Sequence, residues 1–105
     1  MDAQVEPRRP GRMFLVERYA PGIDERGAAA VVSSLELAAR QLTSEGTPVE
    51  HVGSFLMPAD QVVFSLMTGA DEATVRAANE RADVPLDRIA AAIPFGLGHS
   101  AEGDR

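Results

Sequence analysis

The clearest pattern in this chain is a short run, residues 14–19, whose apolar side chains alternate onto both sides of a predicted β-strand. β-Branched and aromatic residues dominate the run, and a Pro-Gly pair ends it. Phe14 and Val16 share one face of the strand, and Met13 and Leu15 share the other. A strand that is apolar on both faces is usually central in its sheet and covered on both sides.

Two further segments repeat their apolar residues at the spacing of a helix. The first covers residues 24–45, and its core-facing positions are Val31, Leu35, Ala38 and Leu42. The second covers residues 72–82 and follows Asp71, which suits a helix N-cap. Gly46 and a proline two residues later end the first helix, because glycine favours the position after a helix and proline prevents its continuation.

The remaining apolar runs complete a recognisable order of elements. Further strands are predicted at residues 49–57, 61–67 and 89–93. The order strand, helix, strand, strand, helix, strand predicts the ferredoxin-like βαββαβ sandwich. This is an α+β fold in which two helices cover one face of a four-stranded antiparallel sheet. We expect the domain to cover residues 13–93, between a disordered tail at residues 1–12 and a flexible tail at residues 94–105.

A short connection after Met57 predicts a β-hairpin, and the hairpin implies a register. If Met57 pairs with Gln61, counting back along both strands places Gly53 directly opposite Ser65. Directly opposed residues have Cβ atoms ~4.5–5.5 Å apart. The predicted register therefore places positions 53 and 65 side by side across the two strands.

The second face of the predicted sheet has no helix to cover it. Apolar side chains of the two central strands would lie exposed there, and a monomer rarely leaves such a patch open. A second copy of the chain, a ligand pocket, or both would cover it. We therefore expect a homodimer formed through the open sheet face, because two identical faces pair in an isologous way.

Composition and charge narrow the classes of partner. The chain has 105 residues and a formal net charge of −6, which argues against binding to nucleic acid or to anionic membranes. It contains no cysteine, so disulfides and thiolate nucleophiles are excluded. No apolar run approaches the ~20 residues of a membrane span, and residues 1–12 lack the apolar core of a signal peptide. We expect a cytoplasmic protein, with Arg8 and Arg9 either solvated or serving as a docking handle.

Two consecutive charges at the end of the first strand are candidates for a functional role. Glu17 and Arg18 point to opposite faces, so one of them faces the helices or lies just beyond their edge. One interpretation is a salt bridge at the strand end, with Arg88 or Asp87 as the partner. The alternative is a charged anchor that orients a ligand in a mostly apolar cavity.

A second group of candidates surrounds the one histidine of the predicted domain. His51 by itself is a weak metal signal, because metal ions require several ligands, and packing or a solvated edge position is the alternative. Ser54 and Ser65 come close to His51 in the predicted sheet, but no Ser–His–Asp signature accompanies them. The candidate ligand-binding residues are Glu17, Arg18, His51, Ser54 and Ser65, and His51 is also the candidate metal ligand.

Several short motifs, taken in their order and spacing, resemble a small bacterial family. The matching stretches are Phe14-Leu15-Val16-Glu17-Arg18, Glu45-Gly46-Thr47, Ser54-Phe55, Phe64, residues 72–78, and Val84-Pro85-Leu86-Asp87-Arg88-Ile89. The family consists of short ferredoxin-like domains of unknown function and includes a dimeric nickel-binding protein from actinomycetes. The resemblance covers residues 12–93.

The resemblance implies a metal site whose main ligands this chain lacks. The nickel-binding relative carries a histidine directly before the serine that Ser54 matches, and a cysteine directly after the phenylalanine that Phe64 matches. Gly53 and Ser65 stand at those positions here. Glycine has no ligand atom, and a serine hydroxyl is a poor nickel ligand compared with thiolate or imidazole. We therefore expect weak nickel binding or none, with any remaining affinity coming from His51.

Three functions stay open at this point. The first is a metal-binding or metal-responsive module, as the resemblance implies. The second is a small cofactor-free enzyme, or a binding protein, that holds an apolar ligand in the sheet cavity and orients it with a polar group. The third is a structural or regulatory partner module that has no small ligand.

Overall fold

The computed structural model describes residues 11–97 of the chain. The helices are α1 (Glu25–Ser44) and α2 (Glu72–Arg81), and the strands are β1 (Arg12–Tyr19), β2 (Val49–Met57), β3 (Val62–Gly69) and β4 (Arg88–Ala92). The strands form one antiparallel sheet in the order β2-β3-β1-β4. The predicted ferredoxin-like α+β fold is confirmed, with β1 and β3 in the centre. Arg8, Arg9 and most of both predicted tails lie outside the described residues.

Both helices begin directly after an aspartate that caps them. The Asp24 carboxylate accepts a hydrogen bond from the backbone N–H of Gly27 at 2.9 Å, and Asp71 accepts one from Thr74 at 2.9 Å. Each bond satisfies an N–H that the first helical turn leaves without a partner. Beyond its other end, α1 is followed by Gly46, whose φ of 99° lies in the left-handed region that favours glycine.

The hydrophobic core lies between the two helices and one face of the sheet. Its members from the sheet include Phe14, Val16 and Met67, and its members from the helices include Leu35 and Val75. All five are at most 3% exposed. We call this side of the sheet the covered face and the opposite side the helix-free face. Within residues 11–97, neither helix combines the length and apolarity that crossing a membrane requires, and a cytoplasmic location stays a prediction.

The predicted pairing of β2 with β3 is wrong by one residue in the half nearest the hairpin. Ser54 lies opposite Ser65, and Gly53 lies opposite Leu66 on the helix-free face. The cause is Gln61, which the apolar pattern places in the strand but which adopts a φ of 54° and belongs to the turn. Because side chains alternate along a strand, this shift of one residue moves Gly53 to the face opposite Ser65.

A β-bulge in β2 then restores the predicted pairing at the other end of the strand. The register shifts between His51 and Gly53, so Val52 is the extra residue. His51 therefore lies opposite Met67, as predicted, although the residues nearer the hairpin are shifted. The bulge also places His51 and Ser54 on the covered face together, three residues apart in sequence.

Candidate functional site

Arg18 is buried between the sheet and the helices, with 3% of its surface exposed. Its Nε donates a hydrogen bond to the carbonyl oxygen of Pro85 at 3.0 Å. Its two terminal nitrogens donate to Ser65 Oγ at 3.0 Å and to Asn79 Oδ1 at 2.6 Å. Burial lowers the pKa of Arg18 to about 10, an effect that the Asp87 carboxylate partly opposes. The guanidinium is thus charged at neutral pH, and its three acceptors are neutral.

From Ser65, hydrogen bonds continue to the edge of the sheet. Ser65 Oγ lies 2.6 Å from Ser54 Oγ, and Ser54 Oγ lies 2.8 Å from His51 Nε2. His51 Nδ1 then lies 3.3 Å from a carboxylate oxygen of Glu36 on α1. We call Arg18, Ser65, Ser54, His51 and Glu36 the hydrogen-bond chain. It joins the buried centre of the covered face to a half-exposed carboxylate.

The donor and acceptor capacities of these groups decide which atom donates in each bond of the hydrogen-bond chain. A guanidinium only donates, so Ser65 Oγ accepts from Arg18, and its own proton goes to Ser54. Ser65 is fully buried, and the described contacts offer its proton no other acceptor. Ser54 therefore donates to His51 Nε2, and the imidazole proton sits on Nδ1, where it is donated to Glu36. Every donor thus points from Arg18 towards Glu36, around a neutral imidazole.

Two features of the fold keep His51 neutral. Burial lowers its pKa below the ordinary 6.5 as the largest effect, and the hydrogen bond and charge of Glu36 oppose this. In addition, a proton on Nε2 would turn this nitrogen from an acceptor into a donor, so the Ser54 hydroxyl would lose the acceptor of its proton and have to turn that proton towards solvent. His51 is consequently held in the form that accepts a proton from Ser54.

We expect the protein to lose stability as the pH falls below 6.5. The folded-state pKa of His51 is lowered, so the unfolded chain binds a proton in this window that the folded chain resists. One such proton changes the free energy of unfolding by at most about 1.4 kcal/mol per pH unit. Urea unfolding from about pH 5 to about pH 8 measures the slope. The His51→Gln variant is the control. If the free energy of unfolding depends on pH equally in both proteins, His51 is not the group responsible.

Glu17 does not belong to the hydrogen-bond chain. It lies on the helix-free face, and Arg88 Nη1 is 3.8 Å from its carboxylate. This contact is the salt bridge at the strand end that the sequence suggested. Both side chains are well exposed, so the pair contributes little to stability. Side chains alternate along a strand, so Arg18 lies on the covered face. Of the two neighbouring charges, only Arg18 therefore belongs to the site.

Two residues of the site were not among the sequence candidates. Glu36 lies 15 residues before His51, and Asn79 lies 61 residues after Arg18. Asn79 carried a usable signal, because it falls at helical spacing from Val75 within an apolar stripe. Glu36 carried none, since a glutamate on an exposed helix face is ordinary.

A groove lies beside His51, between α1 and the edge strand β2. Its volume is about 650 Å³, and the residues that line it include Glu36, Ala39, Arg40, Thr43, Val49 and His51. Sites for small molecules have volumes of ~300–1,000 Å³ and combine apolar walls with a few polar groups. This groove has both, although its apolar part is small, because Ala39 and Val49 are each only 4% exposed. The Glu36–His51 end of the hydrogen-bond chain is its polar part.

The residues at the position implied for nickel do not fit the ion. Gly53 and Ser65 lie on opposite faces of the sheet, and Ser65 accepts a hydrogen bond from the positively charged Arg18. Among residues 11–97, no group of three or more His, Cys, Asp and Glu side chains is arranged to hold a metal. His51 thus lacks the further ligands that nickel requires.

Comparison with known proteins extends only to the fold. No family model matches the chain, and none of the curated proteins matches it. The crystal structure of SCO4226 from Streptomyces coelicolor A3(2) is similar, with a TM-score of 0.67 and 19% sequence identity. The match covers 81% of this chain and 99% of that protein. The chain therefore shares its fold with a small bacterial protein, and at this identity the likeness shows the fold alone.

Proposed function

We propose that this chain is a homodimeric binding module that takes a small organic ligand in the groove beside His51 and uses no metal there. The observation that carries the proposal is the hydrogen-bond chain from Arg18 to Glu36, which holds a neutral imidazole in one orientation at the groove. A polar group that is already oriented loses little entropy when a ligand binds to it. Such a group in a partly apolar groove is typical of small-molecule sites.

The chemistry of the groove points to a ligand with an apolar body and a carbonyl or carboxylate group. The Glu36 side chain is 49% exposed, and its 3.3 Å contact with His51 Nδ1 is long for a hydrogen bond. A ligand oxygen at the rim of the groove shares the Nδ1 proton with Glu36, whose carboxylate keeps its contact with His51. The apolar body then lies over the small exposed parts of Ala39 and Val49. Arg40 provides a positive charge for a carboxylate in a groove that Glu36 and Glu50 also line.

NMR titration of the full chain with small carboxylic acids and esters tests this proposal. We expect amide shifts that centre on residues 36–51, and Arg40→Ala is expected to weaken carboxylate binding about tenfold, or ~1.4 kcal/mol. Arg76→Ala is the matched control, because Arg76 is an exposed arginine of α2 that pairs with Glu72. Shifts located elsewhere, or equal effects of the two variants, would contradict the proposal.

A parallel titration with Ni²⁺ addresses the metal. The proposal gives nickel an affinity weaker than about 10 µM, because His51 is the one imidazole in the described part of the chain. Tight, stoichiometric binding that survives His51→Gln would show that a metal site exists apart from this groove.

The proposed dimer forms through the helix-free face. Tyr19 is 60% exposed on β1, and Phe55 and Met57 are 55% and 42% exposed on β2. Phe55 lies directly opposite Phe64 of β3, and in the next row Met57 and Tyr19 lie on either side of Val62. These side chains form an apolar surface that borders the Glu17–Arg88 pair. Such a surface marks an interaction site. We assign a second copy of the chain as the partner, because two identical sheet faces cover each other with one two-fold axis.

A further inference from the structure

We propose that Ser54 is an activated nucleophile that accepts an acyl group from a small ester. The inference rests on the ligand site proposed above and adds a covalent step to it. Glu36, His51 and Ser54 stand as carboxylate, imidazole and hydroxyl, at distances of 3.3 Å and 2.8 Å. This is the arrangement in which a base removes the proton of a hydroxyl while a carboxylate orients the base.

The direction of the hydrogen bonds suits this role. The Ser54 proton already points to His51 Nε2, since Ser65 and Arg18 donate from the other side. A base within hydrogen-bond reach of the proton that it removes satisfies the geometric requirement for general-base catalysis. The low pKa of the imidazole also keeps it unprotonated at neutral pH.

On its other side, Ser54 Oγ accepts a hydrogen bond that stabilises the partial negative charge on this oxygen while His51 withdraws the hydroxyl proton. Ser65 Oγ donates to Ser54 Oγ at 2.6 Å, and the buried Arg18 donates to Ser65 at 3.0 Å. Hydrogen bonds in series polarise one another, and a charged donor at the end strengthens them. Ser54 thus has His51 as the acceptor of its proton and Ser65 as a polarised donor to its oxygen. An isolated serine on a sheet has neither partner.

The step balances without any further reactant. Ser54 Oγ bonds to the ester carbonyl carbon while His51 Nε2 takes the hydroxyl proton. The tetrahedral intermediate then breaks the bond to the leaving alcohol, which receives that proton from His51. The products are an acyl ester of Ser54 and a free alcohol. Water, deprotonated by the same imidazole, attacks this ester, releases the carboxylic acid and restores Ser54.

Access comes from the edge of the sheet. Ser54 lies on β2, an edge strand, and remains partly exposed. Ser54 does not line the groove itself, but its hydrogen-bond partner His51 does, so the ester reaches Ser54 past the imidazole at the edge of the sheet. The competing role for Ser54 is structural, because its hydroxyl also accepts the proton of the buried Ser65.

The test is covalent labelling of the folded, full-length wild-type chain with a fluorophosphonate probe, followed by peptide mapping. We expect one adduct per chain, located on Ser54, and acetylation of the same residue by p-nitrophenyl acetate. The His51→Gln variant is expected to label about 100-fold more slowly, because the general base is lost. Ser33→Ala, at an exposed serine of α1, should label at the wild-type rate.

Peptide mapping uses the wild-type protein, so the result does not depend on whether a Ser54 variant folds. No adduct on Ser54, or an adduct that forms equally fast in His51→Gln, would overturn it. Groove shifts with carboxylic acids but no adduct would overturn the covalent step and leave the binding proposal standing. An adduct without reversible binding of the acids would support the covalent step and contradict the binding proposal.

Discussion

Replacement of Arg18 with alanine is expected to lower the free energy of unfolding by about 4 kcal/mol. The guanidinium is 3% exposed and donates to three acceptors on three different parts of the fold. Alanine leaves the Asn79 carbonyl group and the Ser65 hydroxyl buried with one partner fewer, and it opens a cavity where the long side chain packed. Each buried polar group that loses its partner costs roughly 1–3 kcal/mol.

Urea unfolding at neutral pH measures this effect, with Arg76→Ala as the matched control. Arg76 is exposed and forms an ordinary i,i+4 pair, so its loss should change stability by no more than about 0.5 kcal/mol. A loss below about 1 kcal/mol in Arg18→Ala would mean that the cost of burying the charge nearly cancels its hydrogen bonds. The charge of Arg18 also helps to lower the pKa of His51, so the variant should raise that pKa in an NMR titration.

A glutamate in place of Phe55 is expected to convert the proposed dimer into a monomer. Phe55 lies on the helix-free face, is 55% exposed and pairs across strands with Phe64. In a dimer formed through this face, the new carboxylate would have to give up its hydration without gaining a partner, at a cost of several kcal/mol. Size-exclusion chromatography with light scattering, at micromolar concentration, should give twice the chain mass for the wild type and the chain mass for the variant.

Leu37→Glu is the matched control for this experiment. Leu37 is 50% exposed on α1, on the side of the molecule away from the helix-free face, so this variant should remain dimeric. A monomeric wild type would contradict the dimer. A dimer that survives Phe55→Glu but not Leu37→Glu would place the interface on the helices.

The sequence alone determined the elements of this protein and their order. Apolar spacing, the caps Asp24 and Asp71 and the turn residues act within a few positions of one another, so they are visible without a structure. The two apolar faces of β1 also identified it as a central strand. These signals decide the fold because each element has to bury its apolar face, and the order of the six short elements then favours one compact arrangement.

The hydrophobic pattern could not determine the register of the β2–β3 hairpin. β3 is apolar on both faces, so a shift of one residue leaves the hydrophobic pattern almost unchanged. What decides between the registers is the backbone of Gln61 in the turn and the bulge at Val52. Both are local conformations with weak sequence signals, and together they placed Ser54, rather than Gly53, opposite Ser65.

The site itself was decided by the tertiary structure. Arg18, His51, Ser54 and Ser65 were all candidates from the sequence, but nothing in their spacing showed that one series of hydrogen bonds joins them. The Pro85 carbonyl lies 67 residues from Arg18, and Glu36 is brought to His51 only by the packing of α1 against β2. Hydrogen-bond partners that are distant in sequence meet because the apolar core positions their backbones. The core pattern therefore predicts where the elements lie, while the side chains that meet at their edges emerge only from the folded structure.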